Sequence, residues 1–139
     1  MSFEHTPRSG TIKNDGNVCS TGGNGTVLCD RPILRNTGLH EVTFKQTSFW
    51  TVLFGAASAT ADLEMSLGRQ NESAAFNTGG TVWINGQQKK SGVKGCNNQE
   101  PVALVVDTDV PGALELVASI KGSEWTRLPI QEGWRFAVG

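Results

Sequence analysis

The sequence has little charge and no marked excess of either sign. Of its 139 residues 18% are charged, and the formal net charge is −1. Proteins that grip nucleic acid present a basic stripe or patch. The densest basic cluster here, Lys89, Lys90 and Lys94, sits in a polar loop and reads as a solvated turn. Nucleic acid is therefore not an expected partner. Long apolar runs are missing too. No segment approaches the ~20 apolar residues of a membrane-spanning helix, so no membrane is expected. The stretch from Met1 to His5 lacks the basic-then-apolar order of a secretory leader. Cysteine is scarce and odd in number, with Cys19, Cys29 and Cys96. That pattern predicts free thiols in a reducing compartment, the cytosol.

Catalytic and metal-binding constellations are also absent. The histidines are His5, in a tail, and His40, inside a predicted strand beside Glu41, whose side chain points to the opposite face. Neither completes a zinc pattern with the cysteines. There is no strained Gly-x-Ser-x-Gly elbow. The glycine-rich Gly22, Gly23, Asn24, Gly25 leads into a strand and lacks the lysine and helix of a phosphate loop. Asp107 and Asp109 are spaced to share one side. They read as turn caps before Pro111 and Gly112, with calcium ligation as the alternative. The chain is therefore expected not to be an enzyme and to carry no cofactor or metal.

What the chain does have is glycine, 17 residues without a collagen-like period, and short apolar pieces between turn formers. Leu39 to Phe44 alternates, with Val42 and Phe44 on one side. Phe49 to Ala57 is continuously apolar, as suits a strand buried on both faces. Thr81 to Ile84 runs into Asn85 and Gly86, a strong hairpin signal because both residues accept positive φ. Val102 to Val106 and Ala113 to Ile120 read as two strands around a turn at Val110, Pro111 and Gly112. Trp134 to Val138 closes the chain. Ala59 to Leu67 reads as a loop with one helical turn. Eight or more short strands with turns every 8–12 residues predict one all-β antiparallel sandwich or barrel. Residues 1–9 read as a loose tail and residues 10–139 as the domain.

The order of these pieces resembles the SPRY (B30.2-like) domain, and most of all the SPRY domains of SOCS-box adaptors. The resemblance runs from near Thr26 almost to Gly139. Thr37 to Val42 looks like the family's G-x-H-x-x-E-V entry into a central strand. Val52 to Ala57 resembles its V-G-V-A strand, and Ser73 to Phe76 stands where an S-x-G-W strand is usual. Gly80 to Gly86 is similar to the L-Y-H-D-G hairpin. Leu104 to Asp109 with Gly112 to Leu116 resembles V-x-L-D-x-D-x-G-x-L-x-F, and Leu128 to Ile130 the L-Y-P element. The chain departs from the family in having no tyrosine, in Gln99, Glu100, Pro101 for a Gly-Asp, and in Ser119, Ile120 for an Asn-Gly or Asp-Gly turn.

The resemblance implies a bent antiparallel β-sandwich and a protein-interaction module, a cytoplasmic monomer that takes a partner protein or short peptide on loops at one end. Carried over residue by residue, its binding positions fall on Arg31, Pro32, Thr51, Arg69 and Trp134. The segment from Arg31 to Gly38 is shorter than in the adaptors, and Arg69 stands where they have tyrosine, so peptide specificity is not transferred. Trp50 and Trp83, in apolar strands, read as core; Trp125 and Trp134, beside polar neighbours, read as surface. A lectin-like, carbohydrate-binding sandwich is the alternative. It would use Trp125 or Trp134 for stacking and Asp107 and Asp109 for calcium.

Overall fold

The alternation in the sequence is realised in the longer strands, which give one row of side chains to a shared interior. A computed structural model describes residues 1–20, 25–46, 52–89 and 100–139. The strands among them are β1 (Phe3–His5), β2 (Thr11–Lys13), β3 (Val18–Ser20), β4 (Val27–Cys29), β5 (Leu39–Phe44), β6 (Leu53–Ala57) and β7 (Ser73–Asn77). They continue with β8 (Val82–Ile84), β9 (Gln87–Lys89), β10 (Val102–Asp107), β11 (Glu115–Ile120), β12 (Ser123–Pro129) and β13 (Arg135–Val138). A single 3-10 turn among the described residues, η1, spans Leu67–Arg69. No helix among the described residues is long and apolar enough to cross a membrane.

Two antiparallel sheets face each other. One has seven strands in the order β1-β4-β13-β6-β7-β8-β9, the other four in the order β12-β11-β10-β5. The hairpin β2-β3 stands apart. Val102, Leu104 and Val106 of β10 point inward, as do Leu116, Ala118 and Ile120 of β11. Phe54, Phe76 and Phe136 meet them from the larger sheet, and all belong to one core cluster. Burial of these rows is the main force holding the sandwich together.

An aromatic chain crosses this core. Phe3 stacks on Phe44 at 5.6 Å between ring centroids. Phe44 lies 6.0 Å from Phe54, Phe54 lies 5.9 Å from Phe76, and Phe76 lies 5.1 Å from Trp125. Such offset and tilted pairs add to the burial of their area. The reading of residues 1–9 as a loose tail meets a different arrangement. Phe3–His5 pairs with β4, and the Ser2 N–H donates to Asp30 at 3.1 Å. One aromatic ring with a place in the core is enough to order a segment that has no strand-like alternation.

The expected hairpins form. Asn85 (φ 50) and Gly86 (φ 81) turn β8 into β9. Of the apolar run, Leu53–Ala57 is the strand, while 49–51 lie outside the described residues. The turn assigned to Ser119 and Ile120 sits two residues later. Both residues remain in β11, and Lys121 (φ 54) with Gly122 (φ 78) makes the reversal into β12.

Candidate functional site

The outer face of the seven-stranded sheet carries a patch of small side chains at its centre. Gly55 of β6 faces Ala75 of β7, and Ala57 and Ala137 lie on the same side. A side chain at Gly55 has no room, since a Cβ there would sit 1.9 Å from the Ala74 carbonyl oxygen. A flat, small-residue surface admits a second layer of backbone. Segment 58–72 supplies it, with Leu67 buried on the alanines and Ala61 and Leu63 packed beside it.

Polar bonds fix this cover. Gln70 is only 6% exposed. Its side-chain amide donates to Thr26 Oγ1 at 2.9 Å and to the Asp62 carbonyl at 3.1 Å, and its oxygen accepts the Asp62 N–H at 3.0 Å. Thr26 Oγ1 in turn donates to the Met65 carbonyl at 2.8 Å. Ser73, in β7, ties η1 down from below with its hydroxyl 2.7 Å from the Gln70 carbonyl. Buried amides satisfied on both sides hold one geometry, because any shift leaves a desolvated group unpaired.

Beside η1 the cover leaves an open cleft of about 630 Å³, lined by Leu53, Gly68, Arg69, Trp83, Gly86 and Gln88 together with Ser66. Two glycines shape it. A Cβ on Gly68 would come within 3.1 Å of Trp83 Cγ and Cδ2, so the indole lies directly against the Gly68 backbone. Gly86 needs its positive φ, and a Cβ there would press to 3.1 Å from the Arg69 carbonyl. Arg69 is exposed, and its guanidinium makes no ion pair among the described residues. The cleft thus has an arginine, a tryptophan and a glutamine in its lining, a donor-rich set of side chains that suits a carboxylate or a peptide carbonyl.

The structure divides the residues that the sequence brings forward. Arg31 is exposed and Pro32 half-buried just after β4. The neighbouring Ile33 N–H donates to the Trp134 carbonyl at 2.8 Å, so Arg31, Pro32 and Trp134 share one corner. Arg69 lies in the cleft, which none of these three lines. Thr51 lies outside the described residues. Trp134 is not a surface residue: it is 5% exposed and part of the core. Its row is Trp134, Phe136, Val138, and that row faces inward; the polar neighbour Arg135 takes the other side. Trp125 is half-buried and packs on Phe76. Neither tryptophan forms the exposed platform that the carbohydrate reading requires. Trp83, read as core, is half-buried and lines the cleft instead. Its signal was available, because alternation from the buried Val82 sends Trp83 to the other face.

The other groups singled out by chemistry are engaged locally. Thr37 Oγ1 lies 2.5 Å from the Leu34 carbonyl and 2.6 Å from His40 Nε2. A hydroxyl has one proton to give. The carbonyl takes it, so the imidazole donates to the hydroxyl and does not act as its base. Asp107 accepts the Asp109 N–H at 3.0 Å, and Asp109 accepts the Gly38 N–H at 3.2 Å, as turn caps do. Among the described residues no three His, Cys, Asp or Glu gather as a metal site. Burial pushes the Cys19 thiol up to about 11. Burial, with the Asp30 charge adding to it, pushes Cys29 up to about 12. Thiols held protonated in this way are poor nucleophiles.

No protein-family model matches the chain, and no curated protein matches its sequence. Its likeness is to solved structures. A human SPRY domain superposes with a TM-score of 0.68 at 17% identity, over 99% of this chain and 89% of that one. The TRIM65 PSpry domain gives 0.71 at 13% identity, over 99% and 84%. The SPRY domain of human HERC1 gives 0.67 at 11% identity, over 98% and 87%. With two packed antiparallel sheets and near-complete coverage of three such domains, the chain has the SPRY fold.

Proposed function

We propose that this chain is a non-catalytic protein-interaction module of the cytosol that holds a short, carboxylate-bearing segment of a partner protein in the cleft beside η1. The observation that carries this reading is a cleft lined by both Arg69, without an ion pair among the described residues, and Trp83, whose indole lies against the Gly68 backbone. Arginine presents a planar fork to a carboxylate, and tryptophan supplies rigid contact area, the two side-chain types most enriched where partners bind tightly. The rigid cover held by Gln70 lowers the ordering cost of binding. The SPRY fold supports the reading, since the resemblance to SOCS-box adaptors implies peptide binding, and Arg69 occupies one of the carried-over positions. Arg31 and Pro32, at their separate corner, are a second proposed contact for residues flanking the anchored segment.

The test is selection from a displayed library of random short peptides, followed by titration of the enriched peptides. Enriched sequences should carry Asp or Glu. Arg69→Ala and Trp83→Ala should each weaken them at least about tenfold, the effect of losing a charge-assisted or aromatic anchor. Enrichment of nothing, or of peptides indifferent to both changes, would sink the assignment.

A further inference from the structure

A sandwich of two open sheets has four edges, and they are not alike. β1 is three residues long, and its pairing with β4 is irregular. β9 is also three residues long and carries Lys89. β12 is longer, but it has a register shift against β11, ends in Pro129, and bears Glu124 and Arg127. Short length, bulges, proline and charge are the devices that keep sheet edges from pairing with other chains. β5 has none of the first three. It runs six residues, Leu39–Phe44, in unbroken register with β10, and no other strand among the described residues pairs with it. Its first residue, Leu39, is 66% exposed. Alternate N–H and C=O groups of such a strand point away from its one neighbour.

The exposed side chains of this edge form a pattern that complements itself. On the outer face β5 presents Glu41 and Thr43, followed directly by the exposed Lys45. A two-fold axis normal to the sheet keeps outer face with outer face, so each residue meets one of the same parity in the other copy. Centring the axis on Thr43 places Thr43 opposite Thr43 and sets Glu41 opposite Lys45 of the second copy, twice. Threonine pairs and opposite charges are favourable cross-strand neighbours. Centring it on Glu41 would oppose two carboxylates, and centring it on Val42 would leave Glu41 opposite threonine.

We propose that two copies of this chain associate through antiparallel pairing of their β5 edges about Thr43, joining two four-stranded sheets into one continuous sheet of eight strands. The contact is narrow, so the dimer is weak and forms as concentration rises. This replaces the monomer expected from the sequence and is independent of the cleft.

Sedimentation velocity of the full chain, from low micromolar to millimolar, reads the association directly against the single-chain mass of 14.8 kDa. The expected result is a concentration-dependent shift to twice that mass. Glu41→Lys and Lys45→Glu should each weaken the dimer roughly tenfold or more, since each turns both cross-strand pairs repulsive. An equimolar mixture of the two variants should restore association, because opposite charges then face each other again at both pairs. Both sites are exposed, and circular dichroism melts of each variant check that it folds. A single-chain mass at every concentration overturns the proposal without recourse to any variant. So does a dimer indifferent to both changes, or one that mixing does not restore.

Discussion

The outer faces of the two sheets solve the same problem in opposite ways. On the seven-stranded sheet the outward positions include Gly55, Ala57, Ala75 and Ala137, and a backbone segment lies over them. On the four-stranded sheet the outward positions include Glu41, Glu115 and Arg127, and the ion pair Arg127–Glu115 spans neighbouring strands at 3.0 Å. Small side chains let a second layer approach; charged ones keep water as the second layer. Among the described residues the cleft belongs to the covered face, because a concave site needs walls from more than one layer. The bare face shows which positions keep a sheet soluble.

Gly55→Val should break the covered face outright. Its Cβ would occupy the space of the Ala74 carbonyl, and separation of β6 from β7 would split the larger sheet. The expected loss exceeds about 4 kcal/mol, read as absence of a cooperative unfolding transition in urea. Gln70→Ala should loosen the cover without removing the sheet. It strands the Asp62 N–H and takes from Thr26 the bond its hydroxyl accepts, at a cost of about 1–3 kcal/mol. Hydrogen exchange should accelerate across 58–72 while β10 and β11 stay protected. Equal acceleration in both sheets would show that the cover is not a separable layer.

The bare face should respond least. Arg127→Ala should leave the midpoint of urea unfolding at neutral pH within experimental error, because exposed ion pairs contribute little. Its effect lies in acid. The hydrogen bond from Arg127, with the charge behind it, holds Glu124 below its ordinary value. A depressed carboxylate contributes stability above its unfolded value and loses it as pH falls through the folded one. The parent chain should therefore lose slightly more stability than Arg127→Ala on acidification below the usual carboxylate range. Identical acid titrations of the two would show that the pair contributes nothing. Asp30, on the other side of the molecule, carries the same sign. Its burial works to raise it, but hydrogen bonds from Ser2 and from its own backbone prevail, with the N-terminal charge adding to them, and lower it.

Features carried by local chemistry were legible in the sequence. Asn85 and Gly86 announced their turn because few other pairs accept two positive φ values. The rows of β10 and β11 announced their inward faces by alternation. Features carried by distant contacts were not. Nothing near Phe3 predicts its stacking on Phe44, which depends on two edges meeting across the sandwich. Trp134 and Trp83 exchange their expected roles because strand parity, and not the polarity of neighbours, decides which face a side chain takes. The cleft itself joins η1, β6, β8 and β9, and its floor depends on Gly68 meeting Trp83, a contact that no local pattern encodes. Arg69 was legible as a cation in a loop, and its surroundings were not.

The position of β13 has a consequence for synthesis. This strand follows every other described strand in the sequence, yet it lies between β4 and β6, near the middle of the larger sheet. Val138 opposes Val27 on one side and Phe54 on the other, and Gly139 exchanges backbone bonds with Leu53. A nascent chain therefore carries β4 and β6 with facing edges open until β13 emerges from the ribosome. Closure is a late event between segments separated by more than half the chain, the kind of pairing that folds slowly and leaves strand edges exposed meanwhile.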